Sequence, residues 1–292
     1  MSWIQNTIHQ SVSLLRVTRN GKSEFSTGFF YAHINEEDLK VVGWQKLDKT
    51  FFVTAKHSLY LDEKLCDKLY ITARSYVNNQ MIPFEIILDQ KEILQNGIVH
   101  INADVDIVLI EIDLVKKIIS GETTNKSQIA ASFFTRGMLP KYNEVFEVET
   151  TSDVIAIGFP YGHYDKYNVF PLCKSGIIAS GWNLKFDDDP KFKIDVQLYP
   201  ISSGSPVISK PMNYTVKNGQ MYFNKDPDFM LLGIYTGEYQ PIIEEDMEME
   251  FVDSSKEIVK VKRCSSIGFG TVFYSYLIDE IILNSMKIES EI

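Results

Sequence analysis

Three polar residues stand at the ends of apolar runs that lie far apart in this chain of 292 residues. The run 51–55 leads to His57, and Asp106 comes directly before the apolar run 107–110. Ser203 lies among small residues after another strand-like run. Short apolar runs bounded by turn residues are typical of buried β-strands. The sequence therefore predicts strands that end at a histidine, an aspartate and a serine, in that order along the chain.

These three residue types can form one nucleophilic site. A serine hydroxyl is a weak nucleophile until a neighbouring base removes its proton, and histidine accepts and returns a proton near neutral pH. A buried carboxylate holds the imidazole in the required tautomer. Gly204, beside Ser203, has no Cβ to block the close approach of a substrate backbone. The alternative interpretation is a plain Ser/Gly turn together with a histidine that is satisfied within the core.

The same fragments resemble the motifs of the chymotrypsin-like serine peptidases, and most closely those of bacterial trypsin-like peptidase domains without a secretion signal. Residues 53–57 (Val-Thr-Ala-Lys-His) are similar to Leu/Val-Thr-Ala-Ala-His of that family. Residues 106–109 (Asp-Ile-Val-Leu) are similar to Asp-Ile-Ala-Leu, and residues 203–207 (Ser-Gly-Ser-Pro-Val) to Ser-Gly-Gly/Ser-Pro-Val. Together with the stretch 158–180, the resemblance extends from about residue 10 to about residue 285.

The resemblance implies an all-β, chymotrypsin-like chain of two antiparallel six-stranded β-barrels with a C-terminal α-helix and a site in the cleft between the barrels. We expect the barrel that carries the histidine and the aspartate in residues 1–120, and the barrel that carries the serine in residues 121–292. Local patterns agree with this fold. Asn20-Gly21 is a strong hairpin signal, and residues 276–287 place apolar side chains at helical spacing.

By this resemblance, Ser203 is the nucleophile, His57 is the general base, and Asp106 orients His57. Asp104 competes with Asp106, because it lies two residues earlier on the same strand face. Asp106 is preferred because it directly precedes the apolar run, as in the family. The oxyanion of the reaction would be received by the backbone amides of Ser203 and Ile201.

Ile201 departs from the family, which has glycine at that position. A β-branched residue is an outlier wherever the backbone requires a positive φ. Two expectations therefore stay open. Either the loop reaches an active geometry that tolerates Ile201, or the site is latent until a protein partner reshapes the loop.

A later apolar strand resembles the one that lines the primary specificity pocket of the family. Tyr235, Thr236 and Gly237 on that strand are candidate substrate-binding residues. By its offset from the nucleophile, Gln197 is expected near the base of the pocket. Ser202 stands where zymogen members have an aspartate that pairs with a freed amino terminus, so activation by that route is not expected.

Composition limits the other classes of function. The net charge of −10 disfavours nucleic acid as a partner, because phosphates need neutralisation by Lys and Arg. No apolar run approaches the roughly 18 residues of a membrane span. The amino terminus lacks the pattern of a signal peptide and only three cysteines are present, so we expect a cytoplasmic protein. Because no His, Cys or Asp cluster has the spacing of metal ligands, neither a metal nor a cofactor is expected.

The sequence therefore predicts a serine endopeptidase that cleaves protein or peptide substrates through an acyl-enzyme intermediate. The alternative is a catalytically inactive domain of the same fold that binds a peptide or a partner protein in its cleft. Outside the site, residues 213–228 are predicted to form a loop or hairpin excursion, and the acidic run 244–250 a solvated loop.

Overall fold

The computed structural model describes residues 3–35, 47–77, 80–114, 130–140, 148–217, 220–238, 242–250, 256–264 and 268–291. Over these ranges the chain is built mainly of antiparallel strands with a few helices. The elements of the first half are α1 (Trp3–Ser11), β1 (Val12–Arg19), β2 (Lys22–His33), β3 (Lys49–Thr54), α2 (Lys56–Leu59), β4 (Tyr60–Leu61), β5 (Lys64–Leu65), β6 (Lys68–Val77), β7 (Gln80–Asp89), α3 (Gln90–Asn96), β8 (Gly97–Val99), β9 (Val108–Glu111) and β10 (Phe134–Thr135).

The second half continues with another series of strands and ends in a helix. Its elements are β11 (Asp153–Gly158), β12 (Leu172–Ile178), β13 (Lys191–Asp195), β14 (Pro206–Ser209), β15 (Met212–Lys217), β16 (Gln220–Asp228), β17 (Leu231–Glu238), β18 (Ile242–Glu250), β19 (Lys256–Cys264), β20 (Phe269–Tyr274) and α4 (Tyr276–Glu291). None of the helices within the described ranges is long and apolar enough to span a membrane.

The first half forms one sheet in the strand order β7-β6-β1-β2-β3-β9-β8, with β10 added in parallel to β2. The β1–β2 hairpin turns at Asn20 and Gly21, whose φ angles of 49° and 75° are both positive, as a tight hairpin turn of this kind requires. This turn was predicted from the sequence. Strand β2 pairs with both β1 and β3, and so runs through the middle of the sheet.

The second half contains a closed barrel in the order β11-β12-β13-β20-β17-β14. The expected C-terminal helix is also present, and Leu277, Ile281 and Ile282 turn its apolar face into the core. The mainly β character, one six-stranded barrel and the helix are therefore confirmed. In the first half, the paired strands of the described residues form an eight-stranded sheet, and its closure into a second six-stranded barrel stays a prediction.

Two local predictions differ from the structure, and one is confirmed. The acidic run 244–250 is strand β18 rather than a loop, since acidic residues alternate there with methionines at the period of a strand. Its register places acidic residues opposite lysines of β19, an arrangement that favours pairing. The predicted strand from residue 104 begins only at Val108. The excursion 213–228 is the β15–β16 hairpin.

Two predicted elements fall largely on residues that the structure does not describe, and two observed helices were not predicted. Most of a helical turn predicted at 114–120 and most of a strand predicted at 145–149 lie outside the described residues. Helix α1 was not predicted. Helix α3 was also missed, although Asp89 and Glu92 form a reciprocal capping box at its start.

One apolar core joins the two halves. It contains Phe29 and Phe51 of the sheet, Ile157 and Phe273 of the barrel, and the buried face of α4. A buried polar contact reinforces the docking of α4. The Tyr31 hydroxyl donates to Asp279 Oδ1 at 2.7 Å, and Arg136 Nε lies 3.0 Å from Asp279 Oδ2.

The docking of α4 gives a stability prediction. Replacing Tyr31 by Phe removes a donor from the buried Asp279 carboxylate and should lower the free energy of unfolding by about 1–3 kcal/mol. Chemical denaturation of wild type and Tyr31→Phe measures this difference. Tyr167→Phe is the matched control, because the Tyr167 side chain is 75% exposed and should change stability by less than about 0.5 kcal/mol. Equal effects of the two substitutions would contradict the assignment.

Candidate active site

His57 and Asp106 form a tightly hydrogen-bonded pair. Strand β3 ends at Thr54, and the single turn of α2 then carries His57. Asp106 Oδ2 lies 2.6 Å from His57 Nδ1, and Asp106 Oδ1 accepts from the His57 backbone N–H at 2.9 Å. The Asp106 carbonyl accepts from the Lys56 N–H at 3.3 Å. One aspartate therefore fixes both the ring and the backbone of His57.

This pair determines which imidazole nitrogen is available. A carboxylate accepts hydrogen bonds only, so the contact with Asp106 assigns the proton to His57 Nδ1. Nε2 is then left with its lone pair. The His57 side chain is 49% exposed and that of Asp106 is 25% exposed, so the basic nitrogen is accessible while the carboxylate is partly shielded.

Asp104 lies elsewhere. It is exposed in a turn, where its backbone N–H donates to Asn102 Oδ1 at 2.9 Å and the Val105 N–H donates to the Asn102 carbonyl at 3.2 Å. The geometry thus brings Asp106, and not Asp104, to the histidine.

The loop around Ser203 is held by backbone hydrogen bonds from both halves of the molecule. Within the second half, the Gly204 N–H donates to the Tyr235 carbonyl at 2.7 Å. From strand β2, the Thr27 N–H and the Ser26 hydroxyl donate to the Ser203 carbonyl at 2.9 and 2.7 Å. Ser26 Oγ also lies 2.7 Å from Ser58 Oγ. Because Ser58 follows His57 directly, Ser26 links the serine loop to the turn that carries the histidine.

Gly204 is required at its position for two reasons. Its φ of 87° lies in the left-handed region, and a Cβ there would stand 2.0 Å from the Thr27 carbonyl oxygen and 2.5 Å from Thr54 Oγ1. No side chain fits in this space. The absence of a Cβ therefore lets the serine loop pack directly on strands β2 and β3.

The Ser203 hydroxyl is hydrogen-bonded to a backbone carbonyl. Its hydrogen bond runs to the Thr236 carbonyl at 3.4 Å. Among the hydrogen bonds of the described residues, none joins Ser203 Oγ to His57. The backbone of the serine loop is therefore held in place, while the Ser203 hydroxyl is bonded to Thr236 and not to His57.

Two backbone donors flank Ser202. In the described part of the chain, the amides of Ile201 and Ser203 donate to no acceptor, whereas the Ser202 N–H donates to the Tyr199 carbonyl at 3.1 Å. Ile201 has a φ of 77°, so the β-branched residue does adopt the left-handed conformation. The two free N–H groups are the kind of donors that an oxyanion requires.

The candidate pocket residues occupy different environments. The Tyr235 ring is buried, and burial raises the pKa of its hydroxyl. Tyr235 contacts the serine loop through its backbone carbonyl, which accepts from the Gly204 N–H. Thr236 presents its carbonyl to the Ser203 hydroxyl. Gly237 follows at a bulge with open space around its Cα, and Gln197 is exposed beyond the end of β13. The structure thus places the Thr236 carbonyl next to the Ser203 hydroxyl. No hydrogen bond between described residues joins Gln197 to Ser203.

A loop after β11 supports the serine loop. The Tyr161 N–H donates to the Pro200 carbonyl at 2.9 Å, and the Tyr161 ring stacks on Tyr199 at 4.8 Å. Further along this loop, Val169 has a φ of 55° and its carbonyl accepts a hydrogen bond from the guanidinium of Arg74.

Arg74 lies in the first-half sheet and is only 1% exposed. Besides Val169, it donates to the carbonyls of Asn168 at 3.3 Å and Val12 at 3.2 Å. Burial lowers the pKa of Arg74 to about 10. The supporting loop is therefore fastened to the sheet by a buried cation bound to backbone oxygens.

Sequence reasoning missed the hydroxyls that hold the serine loop. Ser26, Thr27 and Thr54 are all buried and make their contacts across a long separation in sequence. Nothing in the local pattern distinguishes them from other strand residues.

Gly204 gives a prediction for the assembly of the site. Gly204→Ala should lower the free energy of unfolding by roughly 2 kcal/mol or more, because the new Cβ combines a left-handed backbone with a clash against Thr27. Thermal or chemical unfolding measures the change. Gly237→Ala is the stability control, since no atom lies within 4 Å of its added Cβ. A Gly204→Ala protein as stable as Gly237→Ala would contradict the packing described here.

Within the described residues, no group of three or more His, Cys, Asp or Glu side chains is placed to hold a metal ion. The described residues of the site are His57 held by Asp106, the serine loop, and the backbone donors of Ile201 and Ser203.

Comparison with known proteins gives only distant structural similarity. No family model matches the chain, and no curated protein matches it in sequence. Among solved structures, the HtrA-type protease AlgW with a tripeptide has a TM-score of 0.48 and 16% identity over 97% of this chain, which spans 63% of that protein. Protease Anisep from Arthrobacter nicotinovorans has a TM-score of 0.43 and 11% identity over 92% of this chain and 91% of its own.

A third solved structure is a catalytically inactive tobacco etch virus protease complexed with substrate, with a TM-score of 0.42 and 10% identity over 88% of this chain and 80% of its own. The chain is thus similar to several proteases at identities of 10% to 16%. At TM-scores below 0.5, we draw no conclusion about its chemistry from these similarities.

Proposed function

We propose that this chain is a serine endopeptidase with a two-barrel, chymotrypsin-like arrangement of residues 1–120 and 121–292. Ser203 is the nucleophile, His57 the general base, and Asp106 the residue that orients His57. The observation that carries the proposal is the double contact of the Asp106 carboxylate with His57, which leaves Nε2 as a free base beside the serine loop.

The reaction follows from these positions. Ser203 Oγ attacks the carbonyl carbon of a peptide bond while His57 Nε2 takes the hydroxyl proton, and the carbonyl oxygen becomes an oxyanion. The free N–H groups of Ile201 and Ser203 donate to that oxyanion. His57 then gives its proton to the leaving amine as the C–N bond breaks, which leaves an acyl-enzyme. Water, deprotonated by His57, hydrolyses the ester and restores the Ser203 hydroxyl.

The orientation of the free Ser203 hydroxyl is compatible with this role. To meet His57, it must leave the Thr236 carbonyl by rotating about a single bond, and its present contact of 3.4 Å is a weak one. Side-chain rotations of this kind are fast where space permits, and catalytic hydrogen bonds often tighten only when substrate is bound.

The hydrogen bond of the Ser203 hydroxyl to Thr236 favours a second candidate function. A domain in which Ser203 stays bonded to Thr236 would hold a peptide or a partner protein in the cleft without cleaving it. The pairing of His57 with Asp106 supports the peptidase more strongly, because a binding domain has no physical need for an oriented base.

Substrate, partner and location complete the proposal. The substrate is a protein or peptide, with Thr236, Tyr235 and Gly237 along one side of its path and Gln197 further away. An activating protein partner, suggested by Ile201, is the alternative to activity of the free protein, and labelling of the free protein distinguishes the two. A cytoplasmic location is proposed from the cysteines, of which Cys66 and Cys173 are free thiols.

Covalent labelling tests the nucleophile. A fluorophosphonate should phosphonylate Ser203 in the protein without any partner, and peptide mapping by mass spectrometry should find the added mass on that residue. Ser203→Ala should remain unlabelled. Labelling only after a partner is added would establish latency, whereas intact protein that is never labelled would favour the peptide-binding candidate.

The two neighbouring aspartates provide a matched pair for the base. Asp106→Asn should reduce the labelling rate of Ser203 by roughly 10⁴-fold, because an amide NH₂ facing Nδ1 stabilises the wrong tautomer of His57. Asp104→Asn removes the same charge two residues away, without a contact to His57, and should leave the rate near that of wild type. Equal losses in both variants would mean that charge near the cleft, and not orientation of the imidazole, supports the reaction.

A further inference from the structure

Ile201 holds a backbone conformation that its side chain disfavours. Its φ of 77° lies in the left-handed region, where a β-branched residue is a steric outlier. Such a conformation persists only where surrounding contacts over-determine it. The N–H of Ile201 is one of the two free donors beside Ser203, so whatever holds Ile201 also aims that donor.

The two peptide groups that flank the Ile201 Cα are both fixed. The preceding one is held at its carbonyl, where Pro200 accepts from the Tyr161 N–H at 2.9 Å. The following one is held at both ends: the Ile201 carbonyl accepts from Thr27 Oγ1 at 2.8 Å, and the Ser202 N–H donates to Tyr199 at 3.1 Å. With both peptide planes fixed, the torsions of Ile201 between them are determined.

Thr27 contacts the serine loop at two backbone carbonyls. Its hydroxyl donates to Ile201, and its backbone N–H donates to the Ser203 carbonyl at 2.9 Å. The same hydroxyl accepts from the Phe159 N–H at 3.3 Å, and the Thr27 carbonyl accepts from Thr54 Oγ1 at 2.7 Å. Thr27 is fully buried, so no water competes for these contacts.

We propose that Thr27 is a positioning residue for the oxyanion hole. Tyr161 holds the peptide group that carries the Ile201 N–H, and the Thr27 hydroxyl holds the next peptide group, which keeps Ile201 in the left-handed conformation with its N–H towards the substrate oxyanion. This inference rests on the proposed peptidase function. It also accounts for isoleucine at this position: a hydrogen bond from the other half of the molecule supplies the conformation that glycine would adopt on its own.

Two substitutions separate the hydroxyl from the rest of the side chain. Thr27→Val keeps the volume and removes both the donor to Ile201 and the acceptor of the Phe159 N–H, whereas Thr27→Ser keeps both. For Thr27→Val, the maximal rate of fluorophosphonate labelling at saturation should fall roughly 10²-fold, with the half-saturating concentration changed by less than about threefold. Thr27→Ser should label within about tenfold of wild type, because its hydroxyl donates in the same way. Should Thr27→Val fail to fold, Thr27→Ala removes the same donor and takes its place.

A control separates positioning from a general loss of stability. Thr50 Oγ1 donates to the Ile112 carbonyl, a hydroxyl-to-carbonyl bond in the same sheet but away from the serine loop. Thr50→Val should label Ser203 at the wild-type rate below its unfolding transition. A comparable loss of labelling in Thr50→Val and Thr27→Val would overturn the positioning role.

A compensating substitution tests the mechanism itself. Glycine accepts a positive φ without strain, so Ile201→Gly should raise the labelling rate of Thr27→Val by at least about tenfold, and by more than it changes the rate of the wild-type background. Equal effects of Ile201→Gly in both backgrounds would show that Thr27 does not act through Ile201.

The proposal and the proposed function fail in different ways. Wild type and Thr27→Val labelled at equal rates would refute the role of Thr27 and leave the peptidase function standing. If wild type is never labelled, the peptidase function fails, and a crystal structure of Thr27→Val decides the remaining question. Ile201 at a negative φ in that structure would support the hold by Thr27, and an unchanged positive φ would overturn it.

Discussion

The serine loop of the second half depends on the carbonyl of Ser203, which strand β2 of the first half holds through two donors, Thr27 N–H and Ser26 Oγ. This contact lies at the seam between the sheet and the barrel. This contact holds the serine loop close to β2, and the absence of a Cβ at Gly204 makes this close packing possible. Since Ser26 Oγ also contacts Ser58 Oγ beside His57, strand β2 contacts both the serine loop and the turn that carries the histidine.

Much of this molecule follows from short-range signals in the sequence. Asn20-Gly21 forms its hairpin because few other residue pairs accept two positive φ angles. The period of three to four residues in α4 correctly marks the buried face of that helix. His57 and Asp106 were singled out because each adjoins an apolar strand, and their side chains are in contact, whereas Asp104 lies elsewhere. Their catalytic roles stay a prediction. Patterns of this kind depend on neighbours in the chain, which sequence displays directly.

Other features depend on contacts between distant residues, and sequence patterns do not record them. The hydroxyl of Thr27 meets Ile201 across 174 positions of the chain, and Arg74 meets Val169 across 95. The Ser203 hydroxyl donates to the Thr236 carbonyl, a contact across 33 positions that residue type alone does not reveal. Strand β18 was mistaken for a loop because its acidic composition was weighted above its alternation with methionine. The first half was predicted to contain six strands, whereas β8, β10 and the pairing into one eight-stranded sheet were not predicted.

Val169 and Ile201 form a pair with a shared consequence. Both are β-branched residues with a positive φ, both lie in loops of the second half, and both have carbonyls bound by side chains of the first-half sheet. Each residue is held in a strained backbone conformation by contacts between the two halves. A slight separation of the halves would release both loops at once, well before any strand loses its hydrogen bonds. Heat or mild denaturant should therefore disable the site as a separate, earlier and reversible event, while the secondary structure is still intact.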